Sequence, residues 1–226
     1  ELVLATEGFF QLVNDSTFNM DIKFNAPSTD FKNILSLVPA VYKTDFNKIK
    51  TSGKAVFNGF VKGIYSTTQM PAYNLDLGIE NGFFQYPDLP LPVKNINLTM
   101  NVNNPDGVTD HTVVNIPKAH IELDNEPFDF RLLVKTPISD MFIDAAAKGG
   151  LNLSKVSQFV KLESGTQLNG IMNADVTLKG NMSAIEQQRY EQFNAAGEIT
   201  LKDFLYSSKD YPDGVALTNL LMTFNP

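Results

Sequence analysis

Alternation of apolar and polar residues with a period of two returns along this chain more often than any other pattern, and that is the signature of a β-strand with one buried face. Phe18, Met20, Ile22 and Phe24 alternate with Asn19, Asp21, Lys23 and Asn25. Tyr73, Leu75, Leu77 and Ile79 alternate with Asn74, Asp76, Gly78 and Glu80. The same holds for Ile96, Leu98, Met100 and Val102 against a polar set that is mostly asparagine, and for Met172, Ala174, Val176 and Leu178 against Asn173, Asp175, Thr177 and Lys179. One-sided strands belong to antiparallel sheets, because a parallel sheet is covered on both faces and reads as continuous apolar runs.

The turns between these runs are those of hairpins. "NNPDG", Asn103 to Gly107, has proline and glycine where a tight turn wants them, and "LDNEPF", Leu123 to Phe128, separates Ala119, Ile121 and Leu123 from Phe128, Phe130, Leu132 and Val134. Helices are few and short. Phe31, Ile34, Leu35 and Val38 follow helical spacing behind Ser28 or Thr29, with Pro39 set to kink the helix before Ile49. Val156, Phe159 and Val160 give a second helix after Ser154, and Ser183 with Glu186 forms a capping box that opens a mostly polar third one. About nine to eleven strands therefore present apolar faces that three short helices cannot cover. Two arrangements answer this: two sheets packed as a sandwich, or one long sheet curled into a trough.

One segment interrupts the pattern. "GFFQYPDLPLP" places Phe83 and Phe84 ahead of Pro87, Pro90 and Pro92, whose nitrogens cannot donate to a sheet ladder, so it is expected at an edge as a rigid rim or as a loop that protects that edge. A step of 117 residues carries Gly53 to Gly170, Lys62 to Lys179, Gly63 to Gly180 and Ser66 to Ser183. It predicts two weak repeats, about 28–105 and 151–226, joined by strands in 106–150, all within one β-rich unit spanning 1–226. The start at Glu1 and the ending "FNP" at a repeat boundary lead us to expect a segment of a longer polypeptide.

Composition excludes several functions. A net charge of −7 argues against a sequence-independent grip on nucleic acid, and the lack of cysteine forbids disulfides and thiolate metal sites. The longest apolar run, Ile34 to Tyr42, is too short to span a bilayer. His120, Glu122 and Asp124 share one side of a strand, but residues in line do not converge on a point; the pattern reads as a solvated face, and His111 as exposed beside a turn. No metal is expected. Neither a nucleophile elbow, a P-loop, a zinc-protease motif nor a dinucleotide fingerprint occurs, so no catalytic residue or cofactor is assigned and a non-enzymatic role is expected. Glycosylation triplets at Asn14, Asn97, Asn152 and Asn181 are what chance supplies in an asparagine-rich chain.

The segments "FKNILSLVPAVY", "GFFQYPDLPLPVKNINLTMNVNNPDG" and "QRYEQFNAAGEITLKDFLYSSKDYPDGV" together resemble the AsmA-like family of two-membrane bacteria, which is related to TamB-like and bridge-like lipid transfer proteins. The resemblance implies a mainly β, α+β fold: a large curved antiparallel sheet forming a groove or half-barrel with a few short helices. It implies a periplasmic location, anchorage to the inner membrane through an N-terminal helix outside this chain, and a role in outer-membrane lipid homeostasis. A phospholipid or other acyl lipid is the expected partner. Tyr73, Leu75, Leu77, Ile79, Ile96, Leu98, Met100, Val102, Met172, Val176 and Leu178 are then the lipid-facing candidates, with Phe83, Phe84, Pro87, Pro90 and Pro92 as the rim. The rival expectation is a structural or protein-interaction module that uses its apolar faces entirely in its own core.

Overall fold

The computed structural model describes residues 4–35, 49–85, 90–158 and 162–225. Among them are eleven strands: β1 (Ala5–Asn14), β2 (Thr17–Asp30), β3 (Lys50–Tyr65), β4 (Ala72–Gln85), β5 (Val93–Asn104), β6 (Val113–Leu123), β7 (Glu126–Lys135), β8 (Phe142–Asn152), β9 (Gln167–Asn181), β10 (Asn194–Ser207) and β11 (Val215–Phe224). They form a single antiparallel sheet in the order of the chain, β1 to β11, so every connection leads to the adjacent strand. This is one sheet rather than two packed sheets, and it is open: β1 and β11 are its free edges. At a strand spacing of about 4.8 Å, eleven strands give a width of about 48 Å.

Because opposite residues in an antiparallel pair share a face, the register fixes what each side presents. A single row crosses ten strands: Thr29, Ala55, Ile79, Leu98, Ala119, Phe130, Ala147, Val176, Gly197 and Phe224, each opposite the next. Thr29, Ala55, Ile79, Ala119 and Val176 in this row are buried. The apolar alternation of each strand adds parallel rows to the same side, including Phe24 stacked on Phe57 and Phe10 stacked on Phe18. The other side is polar. Cross-strand ion pairs join Lys23 to Glu7, Lys62 to Asp21, Lys148 to Asp175, and Arg131 to Asp144 at 2.5 Å.

The recurrent asparagines find their place on that polar side. Asn101 Nδ2 donates to Asn74 Oδ1 at 2.8 Å and to Asp76 Oδ1 at 2.7 Å, and Asn58 Nδ2 donates to Asp76 Oδ2 at 3.2 Å. An amide ladder thus crosses β3, β4 and β5.

Helix α1 (Phe31–Leu35) packs against β2 and β3 and buries Phe31 and Ile34 at the end of the apolar face where Ala26 and Ala55 are also buried. The expected continuation through Val38 and Pro39 lies outside the described residues. The second expected helix is a 3-10 segment, Leu153–Gln158, and Phe159 and Val160 are outside the description. Helix α2 (Met182–Glu186) is one turn long and is followed by a 3-10 turn at Tyr190–Gln192, a correction to the single polar helix expected from Ser183 onward. The capping box does not form. Asn181 is the N-cap residue with no side-chain cap bond, and the Ser183 hydroxyl instead donates to Asp140 Oδ2 at 2.9 Å.

The two glycines of the 117-residue step share a conformation. Gly53 has φ of 110° and Gly170 has φ of 115°, each beside a register shift, and a Cβ on either would come within 2.8 Å of a neighbouring backbone. Only glycine suits such positions.

Carboxylates tie the connections together along one end of the sheet. Asp110 Oδ1 accepts from the amides of Ile138 and Ser139, both at 2.9 Å, and Asp110 Oδ2 accepts from the Ser139 hydroxyl at 2.5 Å. The Ser139 hydroxyl, then the two amides, hold Asp110 below its ordinary value of 3.8. Asp106 is lowered by the His111 ring and then by the Val108 amide, and Asp144 by the Arg131 guanidinium. A carboxyl that titrates lower folded than unfolded contributes stability that is complete above the unfolded value and is lost as pH falls through the folded one. Melting temperature is therefore expected to hold steady from neutrality down to about pH 5 and to fall below about pH 4. Asp110→Asn should flatten that acid limb; an unchanged slope in melts recorded across the series would refute the assignment.

Candidate functional site

The candidate site is the apolar face itself. On it, Leu75 lies opposite Val102, Leu77 opposite Met100, Ile79 opposite Leu98, and Ile96 opposite Gly82, so two flanks of the proline segment meet as one surface. Tyr73 lies opposite Asn104, with its hydroxyl 3.4 Å from Thr112 Oγ1. Met172, Val176 and Leu178 form a second stretch six strands from β3, where Met172 sits between Leu151 and Leu201, and Leu178 between Ala145 and Ala195. Ile79, Leu98 and Val176 belong to the row that crosses the strands; Ile79 and Val176 are buried, and the other nine candidates are half-buried.

Among the described residues β2 to β10 each have a strand on both sides, so most of their backbone groups are taken up in the sheet ladder. What the face offers is mainly hydrocarbon and aromatic surface, interrupted by polar side chains such as Thr29 and Asn104 near its ends. The total accessible area of 13786 Å² is about a third above the roughly 10,000 Å² of a compact monomer of 25.0 kDa, as an extended single sheet requires. A monomer seldom leaves more than a few hundred Å² of contiguous apolar surface open without a binding role.

The proline segment is only partly described. Phe83 and Phe84 are residues of β4 rather than of a separate rim, with Phe84 opposite Val93. Pro87 lies outside the described residues. Pro90 accepts a hydrogen bond from Gln85 Nε2 at 3.1 Å, and just before Pro92 the Leu91 amide donates to the Gln158 carbonyl at 3.3 Å. Gln158 ends the 3-10 segment after β8, and in that same segment Lys155 pairs with Asp124 of the β6–β7 turn. The connection after β8 thus reaches back past β7 and β6 to the start of β5, and spans one end of the face.

The aligned His120, Glu122 and Asp124 separate in the structure. His120 Nδ1 is 2.9 Å from Asp129 Oδ1, Nε2 is 3.9 Å from Glu122, and Asp124 turns to Lys155. Among the described residues no group of three His, Asp or Glu side chains is placed to hold a metal ion. His111 is half-exposed with its Nδ1 2.6 Å from Asp106 Oδ2. Among the described residues, no helix is long and apolar enough to cross a membrane.

Alternation did not single out the residues at the lower end of β8 to β11, where Ile185, Tyr190 and Phe193 line a cavity of about 670 Å³. Their spacing of five and three matches neither a helix nor a strand, because it straddles the break between α2 and the 3-10 turn. No family model matches the chain, no curated protein matches its sequence, and no solved structure matches its fold.

Proposed function

We propose that this chain is a non-enzymatic lipid-binding segment whose apolar sheet face holds acyl chains. The observation that carries the reading is the row of apolar and small residues running from β3 to β11 on a sheet that no second layer covers among the described residues. A sugar, nucleotide or extended peptide laid on that face would lose its hydrogen bonds to water and find none in return, at a cost of about 1–3 kcal/mol for each polar group. A hydrocarbon chain loses nothing of the kind. It gains about 0.8 kcal/mol for each methylene removed from water.

A curved groove is part of the proposal. Burial is deepest along one row, at Ala55, Ile79, Ala119 and Val176, and shallower at Leu77, Met100, Leu178 and Met172 beside it. Such a line supports a trough whose axis crosses the strands, with Ile79, Leu98 and Val176 on its floor and the other candidates on its walls. The resemblance to the AsmA-like family supports a periplasmic setting for this proposed activity, in transfer or storage of outer-membrane lipid, with the membrane met through other parts of such a protein.

Native mass spectrometry of the purified protein is the direct test. One or more added masses matching phospholipid or fatty acid, removed by solvent extraction, are the expected result. A lipid-free monomer with this face open, or a dimer that buries it, would overturn the proposal in favour of a structural or interaction module.

A further inference from the structure

We propose that the cavity between α2 and β11 is a terminal socket that takes the methyl end of a single acyl chain, an inference that rests on the lipid reading of the apolar face. Its floor is made by the lower ends of four strands: Ile143 of β8, Leu178 of β9, Ala195 of β10 and Phe224 of β11. Ile185 of α2 and Tyr190 of the following turn form the wall, and both are exposed. The volume, about 670 Å³, lies in the range of small-molecule sites.

Three features decide the occupant. No charged side chain lines the cavity, so an ionised headgroup would be desolvated there without a counter-charge. β8 and β9 are paired on both sides at Ile143 and Leu178, so these two floor strands have no backbone group to offer a peptide. Leu178 belongs both to the socket and to the row of walls beside Val176, so a chain lying along the face can run into the cavity without crossing polar ground. The part of a lipid that meets all three conditions is the hydrocarbon terminus.

The wall is held in place from outside. Asp140, in the turn between β7 and β8, accepts from the Ser183 amide at 3.1 Å, the Ser183 hydroxyl at 2.9 Å and Asn181 Nδ2 at 3.0 Å. The Met182 amide donates to the Met141 carbonyl at 2.9 Å. These bonds fix both ends of the junction between β9 and α2 to the neighbouring hairpin. The cavity is therefore preformed.

Photolabelling of the full chain tests this with two palmitic acid probes, one carrying a diazirine near the methyl end and one near the carboxyl end. The methyl-end probe is expected to label peptides containing Ile185, Tyr190 or Phe193, and the carboxyl-end probe to label elsewhere on the face. Ala195→Trp should cut the methyl-end labelling of those peptides by about tenfold or more, the loss that follows when a few methylenes are excluded from an apolar site. Ile185→Gln, on the exposed wall, should lower it without disturbing the fold and so covers the case in which the tryptophan variant fails to fold. Labelling of the face around Leu77 with none in the socket overturns the socket and leaves the lipid reading standing. Equal labelling of the socket by both probes also overturns it, and no labelling anywhere overturns both.

Discussion

Leu77→Glu and Met100→Glu are each expected to remove bound lipid while leaving the protein folded. The two side chains face each other across β4 and β5 on the apolar side, and both are half-buried. A glutamate at either place extends its carboxylate into water when the groove is empty, and the change in melting temperature should stay within about 6 °C, corresponding to about 1–2 kcal/mol for a chain of this size. With an acyl chain in the groove the same carboxylate is desolvated without a partner, at several kcal/mol, enough to weaken binding by about a hundredfold or more. Lipid occupancy by native mass spectrometry and thermal melting should be measured on the same preparations. If the face were a closed core, both variants would bury an unpaired charge and unfold. Unfolded variants, or folded ones that still carry lipid, would end the groove proposal.

Asn104→Ala is expected to show the largest loss of stability of any substitution considered. Asn104 is 1% exposed and organises the connection between β5 and β6. Its Nδ2 donates to the Val108 carbonyl at 2.7 Å and to Thr112 Oγ1 at 2.9 Å, while its Oδ1 accepts from the Gly107 amide at 2.6 Å and the Asp106 amide at 3.3 Å. Alanine would remove all four bonds at once from the buried side chain that holds this turn together. The cost is about 3 kcal/mol or more, a fall in melting temperature of roughly 6–12 °C. A shift below about 2 °C in a thermal melt would show that the turn holds without it. Lipid binding around Leu77 and Met100, farther along the strands from this turn, should survive under conditions where the variant is folded.

Alternation made the strands legible because each carries its own pattern, and turn residues such as Pro105, Gly107 and Asn125 marked the hairpins locally. What it could not distinguish was Leu77 from Ile79. Both are apolar residues at the same phase of one strand, yet only Ile79 falls in the buried row, and membership of that row is set by the register of nine successive strand pairs, bulges included. The choice between sandwich and single sheet was hidden for the same reason, since strand pairing is not a property of any one strand. Ser183 and Glu186 satisfied the rule for a capping box, but Asp140 competes for the serine from another hairpin and wins. Tyr190 and Phe193 carried no periodic signal, so the socket they line emerged only from the placement of α2 beside β11.

The strict succession of neighbours from β1 to β11 also governs how such a sheet is made and unmade. Each new strand docks on one already present, over connections as short as the two residues between β6 and β7, so growth proceeds hairpin by hairpin and never waits for a closing contact between distant parts of the chain. Unfolding follows the same line in reverse. The outer strands β1 and β11, paired on one side only, open first and most often, while β5 to β7 are released last. Fraying of these edge strands is expected to precede the main melting transition, with the middle hairpins the last part to lose structure.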